Sequence, residues 1–226
     1  MATFLIIDTA LEEAFVALGK DGKIIGELNN KETHSHANFI QVAIDTVLER
    51  QKMAMTELDA IVVTLGPGSY TGLRVGLATA KGIAYALEKP LIGLSTLNAL
   101  AAAAIQLAPK PITTPFQIFS MIDARRMEVF GAIYDASLSP ILQEQAMVLD
   151  QPKWNSIVMQ PTVVIGNGQL KTKDFTSTHE VTYLDGNYTS QVLLDLAMAK
   201  WAAGQFEDLA YVGPNYLKEV YILPPK

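Results

Sequence analysis

The sequence contains no cysteine, which excludes disulfide bonds, thiolate catalysis and cysteine-based zinc sites. Only three histidines occur, so transition metals have few candidate ligands. The apolar run that comes closest to a membrane span, 97–108, is too short and too rich in alanine. Asp8 interrupts the first apolar stretch, so the chain does not open with a typical targeting segment. These absences predict a soluble, cytoplasmic protein without a membrane partner.

Basic residues are also fewer than acidic residues. The chain has 17 lysines and arginines against 23 acidic residues, a formal net charge of −6. This balance argues against a large basic surface for nucleic acid, although a local basic patch is compatible with it. With 226 residues, half of them hydrophobic, the chain has room for one large or two small domains with a substantial core.

The first half of the chain predicts an α/β order of three strands, a helix, a strand and a helix. Apolar runs of strand length separated by turn residues mark the strands, and apolar residues recurring every three or four positions mark the helices. The predicted strands are 4–8, 14–19, 23–28 and 59–65, and the predicted helices are 36–52 and 69–87.

The second half predicts a repeat of this order. Predicted strands at 118–123, 128–134 and 141–149 precede a VVIGNG segment at 163–168 and a helix at about 188–204. A gap-free alignment of Asp8 with Asp123 also matches Phe15 with Phe130 and Ala17 with Ala132. Two copies of the unit predict paired ribonuclease H-like lobes, the actin-like (ASKHA) fold. The turn-rich segment APKPITTP places the boundary between lobes 1–110 and 111–226, with the last helix free to pack back on the first lobe.

A glycine-rich loop joins the strand at 59–65 to the next helix. Neither a Walker loop nor a dinucleotide fingerprint fits, because Thr71 stands where a glycine is required. The amides of Gly66, Gly68 and Ser69 could still hold an anion at the helix start, or the loop could be a tight turn with nothing bound. An active ATPase or kinase would combine this loop with Asp8 and the Gly166–Asn167–Gly168 turn. Asp8 is equally explained as a cap, a turn partner or an ion-pair member.

The helix that follows carries a stripe of small residues. Gly72, Gly76, Ala80 and Ala84 recur every four positions, and each interior glycine costs about 1 kcal/mol relative to alanine. This cost indicates close approach of another backbone, either within the same lobe or from a partner helix. The adjacent pair Arg125–Arg126 is either a solvated turn or a site for a phosphate or a carboxylate.

Several of these segments closely resemble the TsaB (YeaZ) family. They are IIDT at 6–9, GPGSYTGLRVGLATAKGIAYAL at 66–87, IGLSTL at 92–97, DARRMEVF at 123–130 and PNYLKEVY near the C-terminus. The resemblance covers essentially the whole chain. It implies an actin-like paralogue of TsaD that works with TsaD and the ATPase TsaE. Together these proteins install threonylcarbamoyl on adenosine 37 of tRNAs that read codons beginning with A.

The resemblance also implies a non-catalytic subunit. The His-x-x-x-His metal motif of the catalytic paralogue falls on Thr96 and Leu100, which are not metal ligands. We therefore expect no catalytic residue, no metal and no cofactor. The alternative is an active ATPase or kinase of the same fold, using Asp8 and the Gly66 loop.

In the family, the first two helices of the N-terminal lobe form a four-helix bundle with TsaD, and the same face can form a homodimer. The implied interface residues here are Phe39, Ala43, Val47, Gly72, Gly76, Ala80 and Ile83. Contact with tRNA is expected to be indirect, although a basic face built from Arg74, Lys81 or Arg125 could contribute.

Overall fold

A computed structural model describes residues 2–30, 36–108 and 116–218. It divides the chain into two compact units: unit 1, Met1–Ala103 with Tyr188–Asn215, and unit 2, Ala104–Asn187 with Tyr216–Lys226. The predicted lobe boundary at 110/111 lies outside the described residues. None of the helices in the described part of the chain is long and apolar enough to cross a membrane.

Ten strands and five α-helices make up the described chain. In order they are β1 Thr3–Asp8, β2 Ala14–Lys20, β3 Lys23–Asn30, α1 His36–Arg50, β4 Ala60–Gly66, α2 Tyr70–Leu87, β5 Leu91–Ser95, α3 Thr96–Leu107, β6 Gln117–Asp123, β7 Glu128–Tyr134, β8 Pro140–Val148, α4 Gln151–Ile157, β9 Thr162–Ile165, β10 Val181–Leu184 and α5 Ser190–Ala202.

The five strands of unit 1 form a mixed sheet in the order β3-β2-β1-β4-β5. β1 runs antiparallel to β2 and parallel to β4. Side chains alternate across the central strand β1, as they must in any strand. Leu5 and Ile7 pack in the core that α1 and α2 cover, whereas Phe4 lies 5.4 Å from Trp201 of α5 between ring centroids. The sheet is therefore covered by helices on both faces.

Unit 2 contains a second sheet in the order β10-β9-β6-β7-β8. β6 is antiparallel to β7 and parallel to β9, so the pattern of unit 1 is repeated strand for strand. This arrangement confirms the predicted α/β, actin-like fold class. One helix differs, since the position that α2 occupies in unit 1 is taken here by a short 3₁₀ segment, Asn167–Thr172.

The gap-free alignment of the two halves is wrong by one residue in β7. Asp8 pairs across the sheet with Phe15, but Asp123 pairs with Val129 rather than Phe130. Because a one-residue shift moves a side chain to the opposite face, Phe130 does not occupy the place of Phe15. The repeat lies in the order of elements, and these matched residues are coincidental.

Four elements were not predicted, namely β5, α3, α4 and β10. α4 has seven residues and β10 has four, too few to show a periodic pattern. β5 and α3 are apolar almost throughout, so their sequences give no contrast between a buried and an exposed face.

Candidate functional site

Asp8 lies inside unit 1 rather than in an open cleft. Its side chain is 1% exposed. One carboxylate oxygen accepts hydrogen bonds from the Thr64 hydroxyl at 2.6 Å and from the Ala10 amide at 3.0 Å. The buried Tyr188 hydroxyl, just before α5, also donates to the carboxylate. Asp8 therefore joins the ends of β1 and β4 to the start of α5.

Burial controls the protonation of this cluster. Desolvation raises the pKa of Asp8, although hydrogen bonds from Thr64, Ala10 and Tyr188 partly oppose the rise. Desolvation and the nearby Asp8 carboxylate raise the pKa of Tyr188 well above 10.0, so this hydroxyl keeps its proton at neutral pH. The Asp8 carboxylate is therefore almost inaccessible to solvent in this structure.

The glycines of α2 face the end of β1. The Thr9 hydroxyl donates to the Gly72 carbonyl at 2.8 Å. A Cβ atom on Gly72 would lie 2.1 Å from the Thr9 carbonyl oxygen, and one on Gly76 would lie 2.3 Å from the Thr9 hydroxyl oxygen. Only glycine fits at either position, because no neighbouring atom can be approached so closely. The stripe is thus explained by packing within unit 1.

The glycine loop is likewise packed against its own chain. The Ser69 amide donates to the Ala10 carbonyl at 2.7 Å, and the Ser69 hydroxyl caps α2 by accepting from the Gly72 amide at 3.2 Å. A Cβ atom on Gly68 would lie 2.2 Å from the Ala10 oxygen, and Gly66 turns the chain with a φ of +108°. The Ser69 amide, one of the donors that an anion would need, is directed at a protein oxygen, so the arrangement favours the tight-turn alternative.

The structure shows where the residues assigned to the partner interface lie. Five of the seven lie in the interior of unit 1: Ala43, Val47, Gly72, Gly76 and Ala80. Phe39 and Ile83 are half-buried and pack against the same core. The reason is that α1 and α2 use their small and apolar stripes to cover the sheet. Binding of a partner by these two helices stays a prediction.

The outward face of α1 and α2 carries exposed residues that the sequence reasoning missed. On α2 they are Ala78, Gly82, Tyr85 and Ala86, and Val42 is exposed on the neighbouring helix α1. Val42 is 66% exposed and Tyr85 is 79% exposed. Ala78, Gly82 and Ala86 recur every four positions, as Gly72, Gly76 and Ala80 do. The signal that distinguishes the two stripes is Leu73 and Leu77, which adjoin the inner one.

The two positions matched to the catalytic metal motif are also closed. Leu100 is buried in the core, and Thr96 is fully buried near Tyr188. Across residues 2–30, 36–108 and 116–218, no three histidine, cysteine or acidic side chains are grouped as a metal site would require. In unit 2, Asn167 of the predicted Gly166–Asn167–Gly168 turn accepts the Asp123 amide at 2.8 Å.

Comparison with known proteins gives the same assignment from sequence and from fold. Residues 24–155 match the family described as "TsaD: tRNA N6-adenosine threonylcarbamoyltransferase". The chain is 29% identical to the tRNA threonylcarbamoyladenosine biosynthesis protein TsaB of Escherichia coli, over 95% of this chain and 94% of that protein. The chain belongs to the TsaD family, in its TsaB (YeaZ) branch.

Two further comparisons, one with a solved structure and one with a transferase sequence, show how much of this TsaB-family chain each relative matches. YeaZ from Pseudomonas aeruginosa superimposes with a TM-score of 0.78 at 25% identity, covering 96% of this chain and all of that one. The tRNA N6-adenosine threonylcarbamoyltransferase of Lawsonia intracellularis is 38% identical over 125 residues, which are 48% of this chain and 34% of the transferase. The TsaB-like match is therefore full-length, while the transferase match is confined to part of each chain.

Proposed function

We propose that this chain is a non-catalytic subunit of the machinery that forms N6-threonylcarbamoyladenosine at position 37 of tRNAs reading codons that begin with A. Its task in the cytoplasm is to bind and order a TsaD-type catalytic paralogue so that the ATPase TsaE and the tRNA can engage. The family assignment supports the pathway. The closed surroundings of Asp8, Thr96 and Leu100 support the absence of a catalytic role.

The observation that carries the binding role is the outward face of α1 and α2. Ala78, Gly82 and Ala86 form a stripe of small residues on the solvent side of α2, beside the exposed Val42 of α1. A Cβ atom on Gly82 would meet no atom of the described residues within 4 Å, so no contact in that part of the chain requires a glycine there. One glycine and two alanines in an exposed stripe let another helix approach closely, which suits a helix pair of a related protein. In the absence of TsaD, a second copy of the chain would use the same face.

Ala78→Arg tests this proposal. A long cation at the centre of the stripe blocks close approach and would be buried without a partner in the complex, so affinity for the TsaD paralogue should fall by roughly 100-fold or more. The matched control is Ala199→Arg, the same change at an exposed position of α5 on the other side of the sheet. Binding is measured by co-purification and titration, and circular dichroism confirms that both variants are folded.

Wild type and Ala199→Arg should bind the paralogue equally well. If folded Ala78→Arg binds as tightly as they do, the interface lies elsewhere. If wild type itself does not bind, the subunit role is wrong. Gly76→Arg would be uninformative, because a side chain at Gly76 collides with Thr9 and disrupts unit 1 itself.

A further inference from the structure

The turn between β6 and β7 holds two adjacent arginines at backbone angles that arginine rarely adopts. Arg125 has a φ of +71° and Arg126 a φ of +49°. An L residue in this region costs roughly 1–2 kcal/mol, and glycine or asparagine is normally preferred. Both side chains are exposed, so packing does not compensate for this cost. The turn therefore lowers the free energy of unfolding and leaves two guanidinium groups exposed to solvent.

The acidic groups beside the turn are already engaged by lysines. Asp123 accepts from the Lys171 ammonium at 2.5 Å and from the Arg125 amide at 2.6 Å. Partial desolvation opposes them, but these hydrogen bonds hold the pKa of Asp123 below its usual range. Glu128 pairs with Lys218 at 2.5 Å. Both carboxylates are therefore paired with cations other than the arginines.

Within residues 2–30, 36–108 and 116–218, no carboxylate neutralises the two guanidinium groups. Neither Arg125 nor Arg126 forms an ion pair with any residue in the described part of the chain. Four cations and two carboxylates give the turn and its two lysines a net charge of +2, on a chain whose formal charge is −6. The turn is a local positive site on an acidic protein.

An exposed apolar side chain adjoins the arginines. Met127 is 46% exposed, and its carbonyl accepts the Leu149 amide at 2.9 Å, which fixes the turn to the end of β8. Guanidinium groups bind phosphate oxygens in a bidentate manner, and an apolar side chain beside them offers a surface for a ribose or a base. This combination fits a nucleic-acid backbone better than an isolated carboxylate.

We infer that the Arg125–Arg126 turn is a contact for RNA phosphates, and that it holds the substrate tRNA in the assembled complex. The inference rests on the proposed function, because tRNA is the polyanion that the TsaD-type complex would bring to this chain. It goes beyond that function by giving unit 2 a direct role in binding the tRNA.

The test is the double variant Arg125→Asn/Arg126→Gly, assembled with the TsaD paralogue. Asparagine and glycine suit a positive φ, so the variant should melt at the same temperature as wild type or higher. Affinity for a fluorescently labelled unmodified tRNA carrying adenosine 37 should nevertheless fall on the order of tenfold at ~0.1 M salt. The slope of log affinity against log salt should become shallower by about 1.5, as two phosphate contacts require.

The matched control is Lys20→Ala/Lys23→Ala, which removes two exposed positive charges from the hairpin between β2 and β3. It should leave tRNA affinity and the salt slope close to wild type. An equal loss in the control would show an effect of net charge alone and overturn the inference. Unchanged binding by the arginine variant would overturn it as well.

Two further results separate this inference from the proposed function. If the arginine variant no longer binds the TsaD paralogue, the turn contacts protein carboxylates and the RNA inference is wrong. If the wild-type complex forms but does not bind tRNA, the inference fails while the subunit role stands. If the wild-type chain does not bind the paralogue at all, both the proposed subunit role and the RNA inference are wrong.

Discussion

Asp8 and Thr9 are neighbours in the chain, but their side chains lie on opposite faces of the first sheet. Asp8 is enclosed by Thr64 and Tyr188 on the α5 side, and Thr9 contacts Gly72 and Gly76 on the α2 side. The alternation of a strand accounts for both placements. At the position where an actin-like ATPase would hold metal and phosphate, the Asp8 carboxylate of this chain forms a buried joint that connects β1, β4 and the start of α5.

Asp8→Asn tests the joint through pH. The folded-state pKa of Asp8 is raised above its unfolded value, so the stabilisation from its protonated form is fully present below pH 3.8 and is lost as pH rises through the folded pKa. Asparagine has nearly the same shape and does not titrate. The free energy of unfolding of the variant relative to wild type should therefore increase between pH 4 and pH 7, by about 1.4 kcal/mol per unit of pKa rise.

Urea unfolding at several pH values in this range measures the difference. A difference that stays constant with pH would show that Asp8 is not desolvated in solution, and the enclosed joint would be wrong.

At the scale of the element, α2 has two stripes of small residues with different purposes. The inner stripe lets β1 approach the helix backbone, while the outer stripe faces solvent. The two are the same in composition and period, so helical periodicity alone does not separate them. Contact with Thr9 decides which stripe is structural.

Gly72→Ala and Gly82→Ala should change stability in opposite directions. At Gly72 the new methyl group would lie 2.1 Å from the Thr9 carbonyl oxygen, so strain should cost about 1–3 kcal/mol or more. At Gly82 the methyl group meets nothing within 4 Å, and the better helix propensity of alanine should add up to about 1 kcal/mol. Denaturant unfolding of both variants measures the difference, and equal effects would contradict the assigned faces.

At the scale of the whole molecule, unit 1 is completed by the end of the chain. α5 packs against β1, β2, β3 and β5, and its buried residues include Val192, Leu193, Leu194 and Ala197. The segment after it adds backbone hydrogen bonds from Glu207 to Leu91 and from Asn215 to Leu65. One face of the first sheet is therefore covered by residues that come after all the strands of unit 2 in the sequence.

A fragment of residues 1–110 should consequently fail to fold on its own. It keeps α1 and α2 but exposes Phe4 and the rest of the face that α5 covers, a loss too large for a small domain. The same fragment joined to residues 188–215 by a flexible linker should recover cooperative unfolding. Circular dichroism melting and binding of a hydrophobic dye compare the two, and a cooperative melt of the short fragment would refute the assignment of α5 to unit 1.

The sequence by itself determined the family, the repeat and the order of the strands and helices apart from β5, α3, α4 and β10. These features depend on local periodicity and on short motifs such as GPGSYTGLR, which are visible without any long-range contact. The boundaries of β7 were predicted without error, and those of α1 and α2 to within two residues.

Only the tertiary structure decided which of these residues are available for function. Thr9 and Gly72 are 63 positions apart, and Tyr188 reaches Asp8 from the far end of the chain. Contacts between residues so far apart in the chain bury the glycine stripe of α2 and the Asp8 carboxylate. They leave Ala78, Gly82, Arg125 and Arg126 exposed. Periodicity indicates that a helix or strand has two different faces. Which face is buried depends on what the rest of the chain packs against it.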